Sequence, residues 1–322
     1  WIQTCALPIL FVKGAAETVL PMCNHDQVSE GVSAGERLAR EGFRVLVVAS
    51  GVVSEPALGA LRDLTLLGIA GIVDPLRPEA AAAVAECRSA GLSVAMITGD
   101  HPLTALAIAR QLGIADGEAE VRTGRELAGL QGAMFDTDVA SARVFARVEP
   151  LQKQAIVAAF QRLGHTVAVT GDGVSDAPAL HTADIGVAMG RNGTDVARDA
   201  GDLVLADDNF ASVVAGVGEG RVAYDNIRKV VWLLLSTGIA EIALFLLALA
   251  FGLPLPLSGV QLLWLNLVTN GVQDVTLALE KAEPDIMRRA PRTRAARILD
   301  RRMIDRKSTR LNSSHVKRSR MP

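Results

Sequence analysis

The chain has 322 residues, half of them hydrophobic, and a formal net charge of -2, so it is long enough for more than one domain with a real core. The charge is uneven: residues 286–322 carry 13 Lys/Arg against 2 Asp/Glu, a balance of +11 that leaves the rest at -13, and a basic stretch just after apolar segments suits the cytoplasmic side of a membrane. The three cysteines, Cys5, Cys23 and Cys87, are odd in number and lack metal-ligand spacing, which speaks against a disulfide framework and reads as free thiols in a reducing compartment.

In chain order, residues 1–72 read as the end of a domain. The chain is within a strand from Phe11, the spacing predicts a helix over 28–41, and "FRVLVVAS" and "LTLLGIAGIV" read as strands. From Asp74 the pattern alternates: helix 79–90, strand 92–97, helix 102–112, a short strand near 144–148, helix 150–163, strand 166–169, then the strand-like runs "IGVAM" and "DLVLA". Such alternation implies a parallel sheet with helices on both faces. From Asn209 a helical pattern runs through "GRVAYDNIRKV" into residues 230–252, an apolar run of 23 whose single charge is Glu241. At about 1.5 Å per residue such a helix spans roughly 30 Å of hydrocarbon, and the whole reads as a stalk that continues into the membrane. A second apolar stretch, about 255–279, follows a Pro-Leu-Pro turn, and no secretory signal is recognisable at the N-terminus.

Two phrases repeat: "VAMITGDHPLTAL" from Val94 and "VAVTGDGVSDAPAL" from Val167. Each "TGD" follows a predicted strand, and ligands of open parallel sheets sit at the carboxyl ends of the strands. Threonine supplies a hydroxyl, glycine admits close approach, and aspartate supplies a hard oxygen. Asp172 and Asp176 straddle one tight turn and together suit Mg²⁺ held against a phosphate. Lys153, opening the helix after "FARVEP", suits neutralisation of phosphate charge. The plainer alternative is that these carboxylates are solvated helix caps.

The second apolar stretch carries Asn266, Asn270 and Asp274 at i, i+4 and i+8, with Thr269 and Gln273 beside them. On a helix these form one polar stripe. Ionisable groups at membrane depth, here Glu241 and Asp274, usually mark an ion path, and oxygen-bearing side chains from two helices can replace a cation's hydration shell. The alternative is hydrogen-bonded glue between helices.

Taken together these motifs resemble the second half of P-type cation-transporting ATPases of the calcium and sodium/potassium pump group, over roughly residues 11–304. "KGAAE" (Lys13 to Glu17) is similar to the nucleotide-domain motif KGAPE, which implies that Lys13 lies in an ATP pocket. "DPLR" is similar to DPPR at the hinge between domains, implying that Asp74 meets the ribose region and Arg77 the phosphates. "TGDHPLTA" resembles TGDxxxTA, which implies that Thr98, Gly99 and Asp100 lie near the phosphoryl group and the nucleotide. "TGDGVSDAPAL" resembles TGDGVNDAPAL, which implies that Asp172 binds Mg²⁺, Asp176 supports the site and Lys153 is the phosphate-stabilising lysine of the haloacid-dehalogenase fold. "GIAEIAL" and "WLNLVTNGVQD" resemble the fifth and sixth transmembrane helices of calcium pumps, implying cation ligands at Glu241, Asn266 and Thr269, with Asn270 and Asp274 in the same stripe. Four departures stand out. The usual Asn of the second motif is Ser175, an expected Asn is Gly238, and an expected Asp is Asn270 with Asp274 one turn on. No DKTGT, the motif of the aspartate nucleophile, occurs in these residues.

The expected fold is therefore α/β: an incomplete Rossmann-like, haloacid-dehalogenase-type phosphorylation domain (73–225), preceded by a nucleotide-domain remnant (1–72) and followed by a stalk with two transmembrane helices (226–280) and a cytoplasmic loop (281–304). The resemblance implies ATP-driven cation transport through an aspartyl-phosphate, with ATP and Mg²⁺ as cofactors and membrane lipid but no nucleic acid as partner. Ca²⁺ is the favoured cation, with Na⁺, K⁺ or H⁺ as alternatives. An integral protein of the plasma membrane with cytoplasmic α/β domains is expected, and by itself the chain is expected to be inactive. "WIQTCALPI" and "RKSTRLNSSHVKRSRMP" lack amphipathic periodicity and are similar to translated sequencing adapter, so 1–9 and 305–322 are expected to be foreign, the latter alternatively a disordered tail. A soluble-type phosphatase of the same superfamily and a non-catalytic regulatory fragment are the competing readings.

Overall fold

Apolar residues at alternate positions build the first sheet. The computed structural model describes residues 9–52, 61–73, 75–292 and 298. Strands β1 (Ile9–Ala15), β2 (Arg44–Val52) and β3 (Thr65–Ile72) pair antiparallel in that order. Helices α1 (Ala16–Val19) and α2 (His25–Arg40) cover one face, where Val47 and Ala49 of β2 are buried with Val19, Leu20, Leu61 and Leu64. Phe11 and Leu67 remain exposed.

The chain then turns parallel. After α3 (Ala80–Ser89) come β4 (Met96–Ile97), α4 (Pro102–Leu112), β5 (Val121–Thr123), α5 (Gly124–Ala128), α6 (Gly132–Ser141), β6 (Val144–Ala146) and α7 (Pro150–Arg162). Strand β6 lies between β4 and β5 and is wholly buried, with Phe145 packed among Leu127, Val139, Ile156 and Ala159. A second parallel sheet follows, with β7 (Ala168–Gly171), α8 (Ala177–Thr182), β8 (Ile185–Met189), α9 (Asp195–Ala200) and β9 (Leu203–Leu205) in the order β7–β8–β9. This corrects the expectation of a single parallel sheet. β4 is bonded to β6 and β7 to β8, so each has an outer edge that meets no other strand among the described residues. The strand expected over 92–97 contracts to Met96–Ile97. β5, α5 and α6 were not anticipated; α5 is set by a capping box in which Thr123 accepts from the Glu126 amide and the Glu126 carboxylate accepts from that of Thr123.

The chain folds into two compact units, Trp1–Arg88 with Ser93–Ser212, and Ser89–Leu92 with Val213–Pro322. In the second, α10 runs unbroken from Phe210 to Ala250, about 60 Å of helix. Among the described residues it is the one helix long and apolar enough to cross a membrane, and none of its most apolar window is buried. A core helix of a soluble protein would be mostly covered; here Ile239, Ile242, Leu246 and Leu249 stand bare. The second apolar stretch is helical from Gly259 to Ala278: α11 (Gly259–Trp264), a π-helical turn (Leu265–Asn270) and α12 (Gly271–Ala278). Ser258 caps its start, accepting from the Gln261 amide. At the other end, buried Asn226 of α10 donates to the carbonyls of Ala278 at 3.2 Å and Glu280 at 2.8 Å, answering carbonyls that a helix end leaves unpaired.

Phe145 is fully buried between the helices that flank β6. Phe145→Ala is expected to destabilise the first unit by about 3–5 kcal/mol, read as a fall in the denaturant midpoint of the chain in detergent with the slope unchanged.

Candidate functional site

Strand β7 ends on Gly171, and the close approach there demands glycine: a Cβ would lie 2.6 Å from the Cβ of Asp176. The Asp176 carboxylate closes the turn. Its Oδ2 accepts the amides of Asp172 at 3.3 Å and Gly173 at 3.2 Å, and its Oδ1 accepts Lys153 Nζ at 2.7 Å. Lys153 and Asp176 are 14% and 17% exposed, so the pair is well shielded from water. Lys153 sits in the first turn of α7, which begins with Pro150 and is capped where the Glu149 amide donates to Gln152 Oε1 at 3.0 Å. The backbone of Asp172 is held on both sides, since its carbonyl also accepts from the Thr194 amide at 2.8 Å. Its own side chain is exposed, and among the described residues the carboxylate accepts no hydrogen bond. Ser175 is exposed beside it.

The first "TGD" turn follows β4. Thr98 Oγ1 donates to Asp100 Oδ2 at 3.0 Å and accepts from the Asp100 amide at 3.1 Å. At Gly99 nothing lies within 4 Å of where a Cβ would be, so open space, not crowding, surrounds this glycine. Arg147, just past β6, donates from its guanidinium to the Gly99 carbonyl at 3.0 Å and pairs with Glu17. It has φ +53°, a left-handed conformation that costs energy for a non-glycine residue. The next amide, that of Val148, donates to the Thr98 carbonyl at 3.3 Å. The turn after β4 and the start of α7 after β6 thus lie at the same carboxyl end, and Lys153 joins that end to the turn after β7. No hydrogen bond links Thr98 or Asp100 directly to Lys153, Asp172 or Asp176 among the described residues.

The remaining candidates of the first unit lie apart from this group. Lys13 is exposed on β1, opposite Val48. Gly14 and Glu17 of the same run line a cavity of about 510 Å³ together with Arg44, Asp100, His101 and Arg147, but Lys13 does not. Arg77 is exposed, and its charge acts on Asp208. Asp74 lies outside the described residues. Sequence reasoning missed Arg147 and Asp208. The first stood in plain view inside "FARVEP"; the second gave no local signal beyond the pair Asp207-Asp208.

Between α10 and the second apolar helix lies a chain of polar groups. Asn266 Nδ2 donates to Glu241 Oε2 at 3.2 Å, and Asn270 Nδ2 donates to Asn266 Oδ1 at 2.8 Å. Asn270 is 6% exposed. Glu241 Oε1 and Asp274 Oδ1 are buried with no hydrogen-bond partner among the described residues, a costly condition for oxygens of ionisable groups. The side chain of Thr269 lies outside the described residues, Gln273 is exposed, and Gly238 has open space where a larger side chain would stand.

Comparison with known proteins matches residues 26–184 to the haloacid dehalogenase-like hydrolases and residues 254–307 to the C-terminus of cation transporting ATPases. The chain is 44% identical over 273 residues to a calcium-transporting ATPase of Bacillus subtilis, covering 84% of this chain and 31% of that protein. It is 42% identical over 314 residues to the cation-transporting ATPase pma1 of Synechocystis, covering 92% and 35%, and 42% identical over 316 residues to the endoplasmic reticulum calcium ATPase srcA of Aspergillus fumigatus, covering 88% and 32%. The chain therefore spans about a third of the length of these relatives.

His101 caps α4, its Nδ1 accepting from the Leu103 amide at 3.3 Å. Burial pushes its imidazole below the ordinary 6.5; Glu17 opposes the shift and Arg147 adds to it. The folded state then binds fewer protons than the unfolded one just below that pH, so stability is fully present above it and falls as the pH drops. His101→Asn keeps a capping oxygen and is expected to abolish that acid-side loss, read from thermal midpoints between about pH 7.5 and 5.

Proposed function

The chain belongs to the P-type cation-transporting ATPases, and from that premise we propose that its first unit completes an aspartyl-phosphate site and its second carries the transported ion. The observation that carries this reading is the pair of buried, unpartnered oxygens, Glu241 Oε1 and Asp274 Oδ1, set on apolar helices. A soluble phosphatase of the same fold has no use for them.

In the first unit Lys153 would neutralise a phosphoryl group, a role supported by Asp176 fixing its ammonium, and Thr98 would offer a hydroxyl at the neighbouring strand end. These residues contain no DKTGT, so the phosphoryl-accepting aspartate of this reading comes from elsewhere. The free edges of β4 and β7 suggest how: each is followed by a "TGD" turn, and a strand pairing with both edges would bring its carboxyl end between Thr98 and Asp172. The donor set fits Mg²⁺, which takes one or two carboxylates and leaves its other positions to water and phosphate; Asp172, its backbone clamped and its carboxylate free, would hold it with Asp176 behind. When bound, the ion supplies neutralisation of phosphate charge. ATP is the phosphoryl donor of this reading, with Arg77, Lys13 and Asp74 as its candidate contacts.

In the second unit Glu241, Asn266, Asn270 and Asp274 form the ion path, with Thr269 as a further candidate. Two carboxylates favour a divalent ion, and two of the relatives named above are calcium ATPases, so Ca²⁺ is the proposed cargo, with Na⁺, K⁺ or H⁺ as the alternatives a failed test would raise. The membrane assigned is the plasma membrane, with the α/β unit on the cytoplasmic side, the side that a basic stretch such as the one from Arg288 suits.

Vesicles carrying a full-length pump that contains these residues are expected to accumulate Ca²⁺ on addition of ATP and to lose that uptake with Glu241→Gln or Asp274→Asn. Asp172→Asn is expected to abolish the Mg²⁺-dependent phosphoenzyme. Normal transport by both membrane variants would sink the ion-path reading, and uptake of another cation in place of Ca²⁺ would sink the calcium assignment. The 322-residue chain alone is expected to give no hydroxylamine-sensitive label from radioactive ATP; labelling would place the acceptor among its own residues.

A further inference from the structure

Asp208 is a carboxylate only 3% exposed, beyond the end of β9, at φ +54°. Among the described residues no hydrogen bond joins it to the Lys153 group, yet it accepts three backbone amides in succession: Gly190 at 2.7 Å and Arg191 at 3.0 Å on Oδ1, and Asn192 at 2.8 Å on Oδ2. These hydrogen bonds, Arg191's foremost, hold its carboxyl below the usual carboxylate range against the opposing effect of burial. The loop it grips is held from the other side by Arg198, which donates to the carbonyls of Gly190 at 3.1 Å and Gly193 at 2.6 Å. Gly193 has no room for a side chain, since a Cβ would fall 1.9 Å from the Met189 carbonyl oxygen. The loop ends at Thr194, whose amide donates to the carbonyl of Asp172 at 2.8 Å.

We propose that Asp208 is a positioning residue for Asp172: it sets the loop 190–194, and that loop, through the Thr194 amide, fixes the peptide from which the Asp172 carboxylate projects. The inference rests on the reading of Asp172 as a divalent-cation ligand. Both oxygens of Asp208 are needed. In Asp208→Asn one becomes an NH₂ group, which cannot accept the third amide, while asparagine tolerates the left-handed backbone as well as aspartate does. The structure also contains its own control. Asp202 accepts the Gly186 amide at 2.7 Å at the opposite end of the same strand β8, away from Asp172.

The test titrates Mn²⁺, a stand-in for Mg²⁺ with the same preference for oxygen ligands, into the 322-residue chain in detergent, reading free Mn²⁺ by electron paramagnetic resonance and amide exchange by mass spectrometry. Asp208→Asn is expected to weaken Mn²⁺ binding about tenfold and to speed exchange across residues 190–194, whereas Asp202→Asn leaves Mn²⁺ binding unchanged. Thr194→Pro, compatible with that residue's φ of -71°, deletes the linking amide and is expected to reproduce the loss with Asp208 intact; it serves also if Asp208→Asn does not fold. Wild-type Mn²⁺ affinity in either Asp208→Asn or Thr194→Pro, or an equal loss in Asp202→Asn, overturns the proposal while leaving the role of Asp172 standing. Wild-type affinity in Asp172→Asn removes the metal reading itself, and the proposal with it.

Discussion

The Asp176 carboxylate accepts hydrogen bonds from donors on two separate elements, and the geometry of the candidate phosphoryl site hangs on it. Two of the donors are backbone amides of the turn after β7; the third is the ammonium at the start of α7. A carboxylate and an ammonium this well shielded lose much of their hydration, and such a pair is tolerable only when its remaining hydrogen-bonding capacity is satisfied. The two turn amides meet that requirement on the carboxylate's side. The consequence is positional more than energetic: Lys153 cannot move without disturbing the turn, and the turn cannot open without stranding Lys153. Gly171 belongs to the same constraint, since any side chain there would displace Asp176.

What the sequence made legible follows from how local each signal is. Helices α4 and α7 begin on Pro102 and Pro150 and end close to their expected limits, because caps and apolar spacing are written within a few neighbouring residues. The 41-residue α10 was legible for the same reason: no proline interrupts it, in spite of its glycines. Strand pairing is not local. Two-residue β4 owes its existence to β6, nearly fifty positions on, and the separation of the parallel strands into two sheets depends on which edges find partners. The candidate site divides along the same line. Asp172 and Asp176 announced themselves through their spacing in one turn, and Lys153 through its place at the start of a predicted helix. Arg147 acts on a carbonyl 48 residues away, and Asp208 on amides 16 to 18 residues away, distances at which one sequence shows residue types but no pairing.

The second unit is governed by the opposite economy of polar groups. Its helices leave large apolar side chains uncovered, as suits lipid surroundings, and polar side chains link them: Asn226 at the carbonyl end of α12, and Glu241 against Asn266 farther along. In hydrocarbon an amide or carboxylate finds few partners by chance, so these few bonds fix the register of one helix against the other. Among the described residues two carboxylate oxygens are left without a partner in that arrangement.

The π-helical turn at Leu265–Asn270 sets the angular phase of everything beyond it. A regular α-helix advances about 100° per residue, so positions eight apart drift by about 80° around the axis. A wider turn advances less per residue and cancels much of that drift, which brings Asp274 back towards the azimuth of Asn266. Length and rotation are therefore coupled in this helix. Straightening the turn into plain α-helix with the same number of residues would leave that drift of about 80° uncancelled, carrying the Asp274 carboxylate away from the side on which Asn266 meets Glu241, whereas removing one residue at the same time would leave seven steps, about 20° short of two full turns, and shorten the helix by only about 1.5 Å.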